Sequence, residues 1–333
     1  MQLSQFPRRH YTPHPTELRR LDRLSRHLGG PRLWIKRDDQ LGLAGGGNKT
    51  RKLEFLVADA LEHGADTLIT TGAVQSNHCR LTLAAAVEEG LACRLVLEER
   101  VADSYDPGAS GNNFLYRLLG AEKLTVVPAG TDLAAAMEAE AAEVRAAGRV
   151  PYVIPGGGSN PLGALGYVAC AHELLQQAFD LDLVIDHLVL GSGSGGTHGG
   201  IVAGMTGSNA GVDVIGVSVR ADKAAQEAKI LDLARRTAAF AGSSQTIEPA
   251  DVKVLDDYVG EGYSLPTEGM IEAVRLFARL EGVLLDPVYT GKAAAGLIDQ
   301  VRRGVFDDDA DVVFLHTGGA AALYAYQSVL LDA

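Results

Sequence analysis

Hydrophobic and polar positions along the chain switch repeatedly between two periods. From residue 65 onward, short β-branched runs alternate with stretches of helical spacing. "DTLITTGA" reads as a strand, and "SNHCRLTLAAAVEEG" as a helix stopped by a glycine. "ACRLVLEE", "NNFLYRLLG", "KLTVVP" and "DLAAAMEAEAAEVRAAG" then read as strand, helix, strand and helix, the last opened by Asp132. After "VPYVIPGGGSNPLGALGY" the alternation resumes, with "IDHLVLGSG" a strand, "GTHGGIVAGMTG" a helix and "VDVIGVSVR" a strand. A block of helices runs to about Glu281, and "DVVFLHTGG" closes the series as a strand. Upstream, an amphipathic helix opens directly behind "GGGN" at Lys49. Such alternation predicts an α/β fold with parallel sheets and right-handed crossovers. "PGGGSNP", Pro155 to Pro161, is the clearest hinge between two parts of the chain, and it is also a plain turn signal.

Composition narrows the function. The 333 residues carry a net charge of −12, with 47% hydrophobic and 22% charged positions. That balance excludes a nucleic-acid surface or a polybasic membrane contact, and favours a soluble protein that handles a small molecule. No apolar run approaches the roughly 18 residues of a membrane-spanning helix, and the first fifteen residues lack the apolar core of a secretory signal. Cys79, Cys93 and Cys170 form no C-x-x-C pair, which leaves neither a disulfide framework nor a zinc site and suits a reducing cytoplasm.

Two glycine clusters carry the candidate chemistry. Around "GGGNKTRKLEFL", which begins at Gly45, the upstream Gly42 and the internal Gly47 have the spacing of a P-loop, but Asn48 intervenes before Lys49 and Thr50, so the lysine is not a P-loop lysine. "GSGSGGTHGG", Gly191 to Gly200, follows an apolar strand and opens a helix whose N–H groups can bind a phosphate, with Ser194 and Thr197 as hydroxyl donors. Gly191, Gly193 and Gly196 also satisfy G-x-G-x-x-G, yet the next strand ends in Val219 and Arg220 where a dinucleotide site needs an acid. One phosphate is the more economical ligand. A lone phosphate, a lysine in a glycine loop and an α/β fold together point to pyridoxal phosphate held as a Schiff base, with Arg51 and Lys52 placed to depress the lysine's pKa or to neutralise phosphate. At "GAVQSNHCR", Ser76 and Asn77 stand where a helix cap belongs, and the same donors suit an amino-acid carboxylate. Tyr263 and Tyr289 lie in loops, and Thr317 follows the last strand at the edge where open α/β sheets hold ligands. A nicotinamide oxidoreductase rests on the glycine fingerprint alone, and a non-catalytic amino-acid or cofactor binder of the same fold is the third reading.

These clusters, in this order, resemble the 1-aminocyclopropane-1-carboxylate deaminase / D-cysteine desulfhydrase family of pyridoxal-phosphate enzymes, with the tryptophan synthase β-like fold (fold type II). The likeness runs from "PTELRRLDRLSRHLGGPRLWIKRDD" to "FLHTGGAAALYAY" and includes "GGNKTRKLEFL", "QSNH", "PYVIPGGGSN", "LLDPVYTGK" and "HTGG". It implies two open twisted sheets with helices on both faces. A smaller domain, 48–160, is set into a larger one formed by 1–47 and 161–333, with the cofactor between them. It implies that Lys49 carries the cofactor, that Lys52 and Ser194, Gly195, Gly196 and Thr197 hold its phosphate, and that Asn77 lies by the ring hydroxyl. Ser76, Asn77 and His78 would meet the substrate carboxylate, Tyr263 and Tyr289 would flank the reacting carbons, and no metal is needed. A homodimer is implied as well.

Within the family, cyclopropane deaminases carry a glutamate where this chain has Thr290 and a leucine where it has Thr317. Hydroxyls make the cofactor ring a milder electron sink, enough when a good leaving group sits on Cβ, so the threonine pair resembles a desulfhydrase. The expected reaction is α,β-elimination of D-cysteine to sulfide, ammonia and pyruvate. L-cysteate sulfo-lyase is the alternative, and ring-opening deamination a more distant one. His198 in "GGTHGG" and "VYTGK" side with the desulfhydrases, whereas Cys79 and Gly199 depart from both patterns.

Overall fold

The computed structural model describes residues 1–331; of the expected larger domain, 332 and 333 lie outside the described residues. The strands are β1 (Leu18–Arg20), β2 (Arg32–Lys36), β3 (Thr67–Ala73), β4 (Ala92–Glu99), β5 (Lys123–Pro128), β6 (Pro151–Val153), β7 (His187–Ser192), β8 (Asp213–Ser218), β9 (Lys253–Leu255) and β10 (Asp311–Leu315). The helices are α1 (Asp22–Leu28), α2 (Lys49–Glu62), α3 (Asn77–Glu88), α4 (Asn112–Leu118), α5 (Leu133–Ala146), α6 (Pro161–Asp180), α7 (Gly196–Gly207), α8 (Lys223–Phe240), α9 (Glu268–Leu276), α10 (Thr290–Arg302) and α11 (Gln327–Leu331).

Among the described residues, ten strands make two sheets. One has the order β1-β2-β10-β7-β8-β9 and the other β5-β4-β3-β6. Along the larger sheet, alternate residues feed opposite cores because successive strand side chains point to opposite faces. Leu188, Leu190, Val313 and Leu315 pack with α6, α7 and α8. Val189, Val312 and Phe314 pack with α1, α9 and α10. The smaller sheet does the same, with Leu68 and Leu95 toward α2, α3 and α4, and Ile69 and Val96 toward α5. Both sheets are therefore covered on both faces, as mostly parallel sheets require.

Three features depart from the pattern read in the sequence. β1 and β2 pair antiparallel. The residues between them include only the short α1, and a parallel crossover needs a dozen or more. A short strand, β9, interrupts the expected helical block and pairs parallel with β8. Finally, "PLGALGY" opens the twenty-residue α6. Asn160 caps it, its side chain accepting from the Gly163 amide at 2.8 Å, and Pro161 takes the first turn where no N–H is needed. The hinge residues are thus a helix start as much as a turn. The carboxyl ends of β3, β4, β7 and β10 open toward one cavity.

Candidate active site

Lys49 is the first residue of α2, and the loop before it is threaded through a space no side chain could share. A Cβ on Gly46, whose φ is +77°, would fall 1.9 Å from the Asp39 carbonyl. This close approach explains the glycines before the lysine. Asn48 then ties the loop down at three points. Its amide donates to the Thr317 carbonyl at 3.0 Å, its Nδ2 donates to Thr197 Oγ1 at 2.8 Å, and its Oδ1 accepts from Lys49 Nζ at 3.3 Å. Burial pulls the Lys49 ammonium down to about 8, with Asp286 the opposing influence.

Arg51 does not contribute to that shift. Two residues on from Lys49 it faces the other way, donating to Asp38 and Glu173 at 2.8–2.9 Å. The Asp38 carboxylate is fully buried, yet Arg51 and Lys36 hold it down at about 2. Lys52, three residues on, shares the Lys49 face. It is almost wholly buried, donates to the Gly157 carbonyl at 3.0 Å, and has its pKa driven well down by burial and then by Lys49. Among the described residues, no carboxylate lies within ion-pair distance of Lys49 or Lys52.

The second glycine cluster comes to meet them. At the start of α7 the Gly196 amide donates to Ser159 Oγ at 3.1 Å, and Ser159 Oγ donates to Ser194 Oγ at 2.8 Å. Gly157 makes room for this: at φ +72° its Cβ would lie 2.3 Å from Ser194 Oγ. Behind the cluster, Gln226 Nε2 donates to Ser192 Oγ, and Ser192 Oγ lies 3.0 Å from His198 Nδ1. His198 Nε2 is buried without a partner, and burial alone lowers that ring's pKa to about 3, so it is neutral.

At the end of β3, Ser76 caps α3 by accepting from the Cys79 amide at 3.2 Å, leaving the Asn77 and His78 N–H groups free at the helix start. The His78 tautomer follows from its neighbour. The single Thr70 hydroxyl proton goes to the Ile154 carbonyl at 2.8 Å, so His78 Nε2–H donates to Thr70 Oγ1. His78 Nδ1 is then an acceptor, buried and unpartnered. The ring offers a lone pair, and a carboxylate would be held here by backbone N–H groups.

Tyr263 and Tyr289 form a pair, hydroxyl to hydroxyl at 2.5 Å with the rings edge-on. The Arg100 guanidinium lies 4.5 Å from the Tyr263 ring centroid, and its Nε donates to Glu98 at 2.8 Å. Asp286 orients Tyr289 by accepting from the Val288, Tyr289 and Thr290 amides. All of this surrounds one cavity of about 250 Å³, lined by Lys49, Ser76, Asn77, His78, Ser194, Gly195, Thr197, Tyr263, Tyr289 and Thr317.

The family described as "Pyridoxal-phosphate dependent enzyme" matches residues 11–318 of this sequence. The chain belongs to that family. The enzyme is 46% identical over 324 residues to the D-cysteine desulfhydrases of Salmonella typhimurium and Salmonella typhi, covering 97% of this chain and of each relative. A solved structure described as an ACC deaminase homologue superimposes with TM-score 0.89 at 36% identity, covering 99% of this chain and 97% of that one.

The cofactor of this pyridoxal-phosphate enzyme is a dianionic phosphate joined to a ring with polar substituents, and the residues fit it. Two buried ammoniums without a counter-ion, a helix start and the orphaned Nε2 of His198 are what an anionic guest would complete, and the lone pair on His78 Nδ1 is what a hydroxyl of that guest would complete. Of the residues singled out in the sequence, Lys52 and Gly196 stand just behind the cavity wall, a Cβ on Gly196 falling 2.7 Å from Lys52 Nζ. Thr290 is not brought to the cavity. Its hydroxyl donates to Asp286 Oδ1 at 2.8 Å and accepts from the Asp286 amide at 2.7 Å, a closed ring. Asn48, Ser159, Asp286 and Arg100 are the bonded neighbours of these residues that pattern reading passed over. Ser159 sits inside the glycine run, Asp286 in an Asp-Pro turn, and Arg100 just past the end of a strand, so each had a local signal.

Proposed function

We propose that this enzyme is a carbon–sulfur lyase that eliminates sulfide from D-cysteine to give pyruvate and ammonia. The observation that carries the reading is the convergence on one cavity of a lysine with a lowered pKa, a helix start with free N–H groups and a phenol pair. The likeness to the Salmonella D-cysteine desulfhydrases over nearly the whole chain supports the substrate.

The bound cofactor supplies an electron sink for the carbanion formed at Cα. The chain's own groups do the rest. The Asn77 and His78 amides, with Ser76, receive the carboxylate and orient the Cα–H bond. Lys49 Nζ takes the α-proton as general base, its pKa brought near working pH by burial. Lys52, Ser159 and the residues from Ser194 to Thr197 hold the phosphate, and Asn77 and Thr317 hold the ring. A phenol of the Tyr263–Tyr289 pair faces the departing sulfur. The division of the chain into 48–160 and the two flanking segments, with the cofactor between them, is part of this reading; all strands of the smaller sheet fall within it. So are a homodimer and a cytoplasmic location. Among the described residues no helix is long and apolar enough to cross a membrane.

Release of pyruvate from D-cysteine, L-cysteine, L-cysteate, β-chloro-D-alanine and 1-aminocyclopropane-1-carboxylate, measured side by side, tests the reading. Sulfide and pyruvate from the D-isomer are expected. Sulfite from L-cysteate alone would overturn the substrate and leave the cofactor and Lys49 in place.

A further inference from the structure

Arg100 stands immediately past β4 of the smaller sheet and faces the cavity that Thr317 and the glycine cluster line from the larger sheet. Its Nε donates to Glu98, which is itself held by the Gly130 amide at 3.3 Å, and the guanidinium also hydrogen-bonds Tyr289. Among the described residues, no carboxylate or carbonyl takes the terminal N–H groups. The side chain is one-fifth exposed. Its guanidinium covers the Tyr263 ring, and Tyr263 bonds Tyr289. All three residues line both the catalytic cavity and an adjoining one of about 360 Å³. A cation held at its back, against two linked phenols, meets the charge that appears when a phenol gives up a proton.

Taking the D-cysteine reading as its base, we propose that Arg100 is a positioning residue that makes the Tyr263–Tyr289 pair the acid for the departing thiolate. The Cβ–S bond breaks with its electron pair passing to sulfur, and the proton of the phenol facing that sulfur follows, so hydrogen sulfide leaves. The phenolate left behind is shared with the second hydroxyl and faced by the guanidinium, and solvent in the adjoining cavity returns the proton. The surroundings agree with this role. Burial pushes both phenols upward and Asp286 adds to it, whereas Arg100 pulls both downward. Tyr116 and Tyr326, also near Tyr263, are themselves pushed up by burial and stay neutral. Glu98 is committed to Arg100 and to the Gly130 amide.

The test compares two leaving groups on the holoenzyme. Chloride departs from β-chloro-D-alanine without a proton, and thiolate from D-cysteine is helped by one. With Arg100→Gln, kcat on D-cysteine falls about 30- to 100-fold, short of the roughly 10²–10⁴-fold of losing the acid itself because both phenols remain, and KM changes by less than about 3-fold. The solvent deuterium isotope effect on that kcat rises, and kcat on β-chloro-D-alanine stays within about 3-fold of the unaltered enzyme. Arg100→Lys keeps the charge but not the stacked plane, so it loses about 5- to 10-fold on D-cysteine alone, and this contrast can be read even where the glutamine variant fails to fold. Equal losses on both substrates, a loss confined to KM, or no loss would overturn the role of Arg100. Absence of sulfide release from D-cysteine by the unaltered enzyme would instead overturn the substrate reading, and this proposal with it.

Discussion

Arg51 and Lys52 are neighbours on one turn of α2, both are almost wholly buried, and both carry a basic head, yet they sit in opposite electrostatic situations. Arg51 is saturated by Asp38, Glu173 and Thr16, in a network that also takes in Lys36 and Tyr167. Lys52, with Lys49 beside it, has carbonyl and hydroxyl oxygens nearby and no carboxylate. A buried cation with its counter-ions built in joins elements together, here the N-terminal segment, β2, α2 and α6. A buried cation without them is costly in the empty protein and has a reason to exist only when a guest brings the negative charge. The difference separates scaffold from site on a single helix.

That comparison can be broken most sharply at Lys49. Lys49→Ala should abolish turnover, by about 10⁴-fold or more, and bleach the cofactor's yellow colour while the protein stays folded by circular dichroism. Asp38→Ala should do the reverse. By leaving Arg51 uncompensated it should cost about 3–5 kcal/mol and lower the melting temperature by on the order of 10 °C, while the protein that remains folded keeps its colour. Lys52→Met comes next. It should weaken cofactor binding about 10- to 100-fold in an absorbance titration, yet leave the cofactor-free protein as stable as before or slightly more so, because an unpaired buried charge has gone. A loss of stability as large as that of Asp38→Ala would erase the distinction between the two cations.

The smallest effect is a pH dependence. Unfolded Lys49 titrates near 10.5 and folded Lys49 near 8. Below pH 8 both states hold the proton and the folded state bears the full cost of burying it. Between 8 and 10.5 the unfolded state binds more protons, so stability rises with pH. Cofactor-free enzyme should therefore gain melting temperature relative to Lys49→Met as pH is raised from 7.5 to 9.5. Lys52, whose pKa is lowered as well, raises the absolute melting temperature of both proteins in the same direction, so the comparison isolates Lys49.

The different roles of Lys49, Arg51 and Lys52 were legible in principle, since residues two apart on a helix face away from each other while residues three apart share a face. Taking the three as one basic cluster missed it. The strand and helix alternation from β3 to α5 could be read because each element there is long enough to show its period. β9 has three residues, too few to show any, and α6 is apolar around much of its circumference, so "PLGALGY" reads as loop. The lysine loop and the phosphate cluster announced themselves through glycines that a close approach demands. Thr290 could not be placed that way, because only the folded turn shows its hydroxyl closing on Asp286.

Asn48 has a consequence for precision. One residue fixes Lys49 through its Oδ1, Thr197 in the first turn of α7 through its Nδ2 and the end of β10 through its amide. The distance between Lys49 and Thr197 is therefore gauged by a single side chain from a common datum. It is not summed over two sheets and the segments that join them.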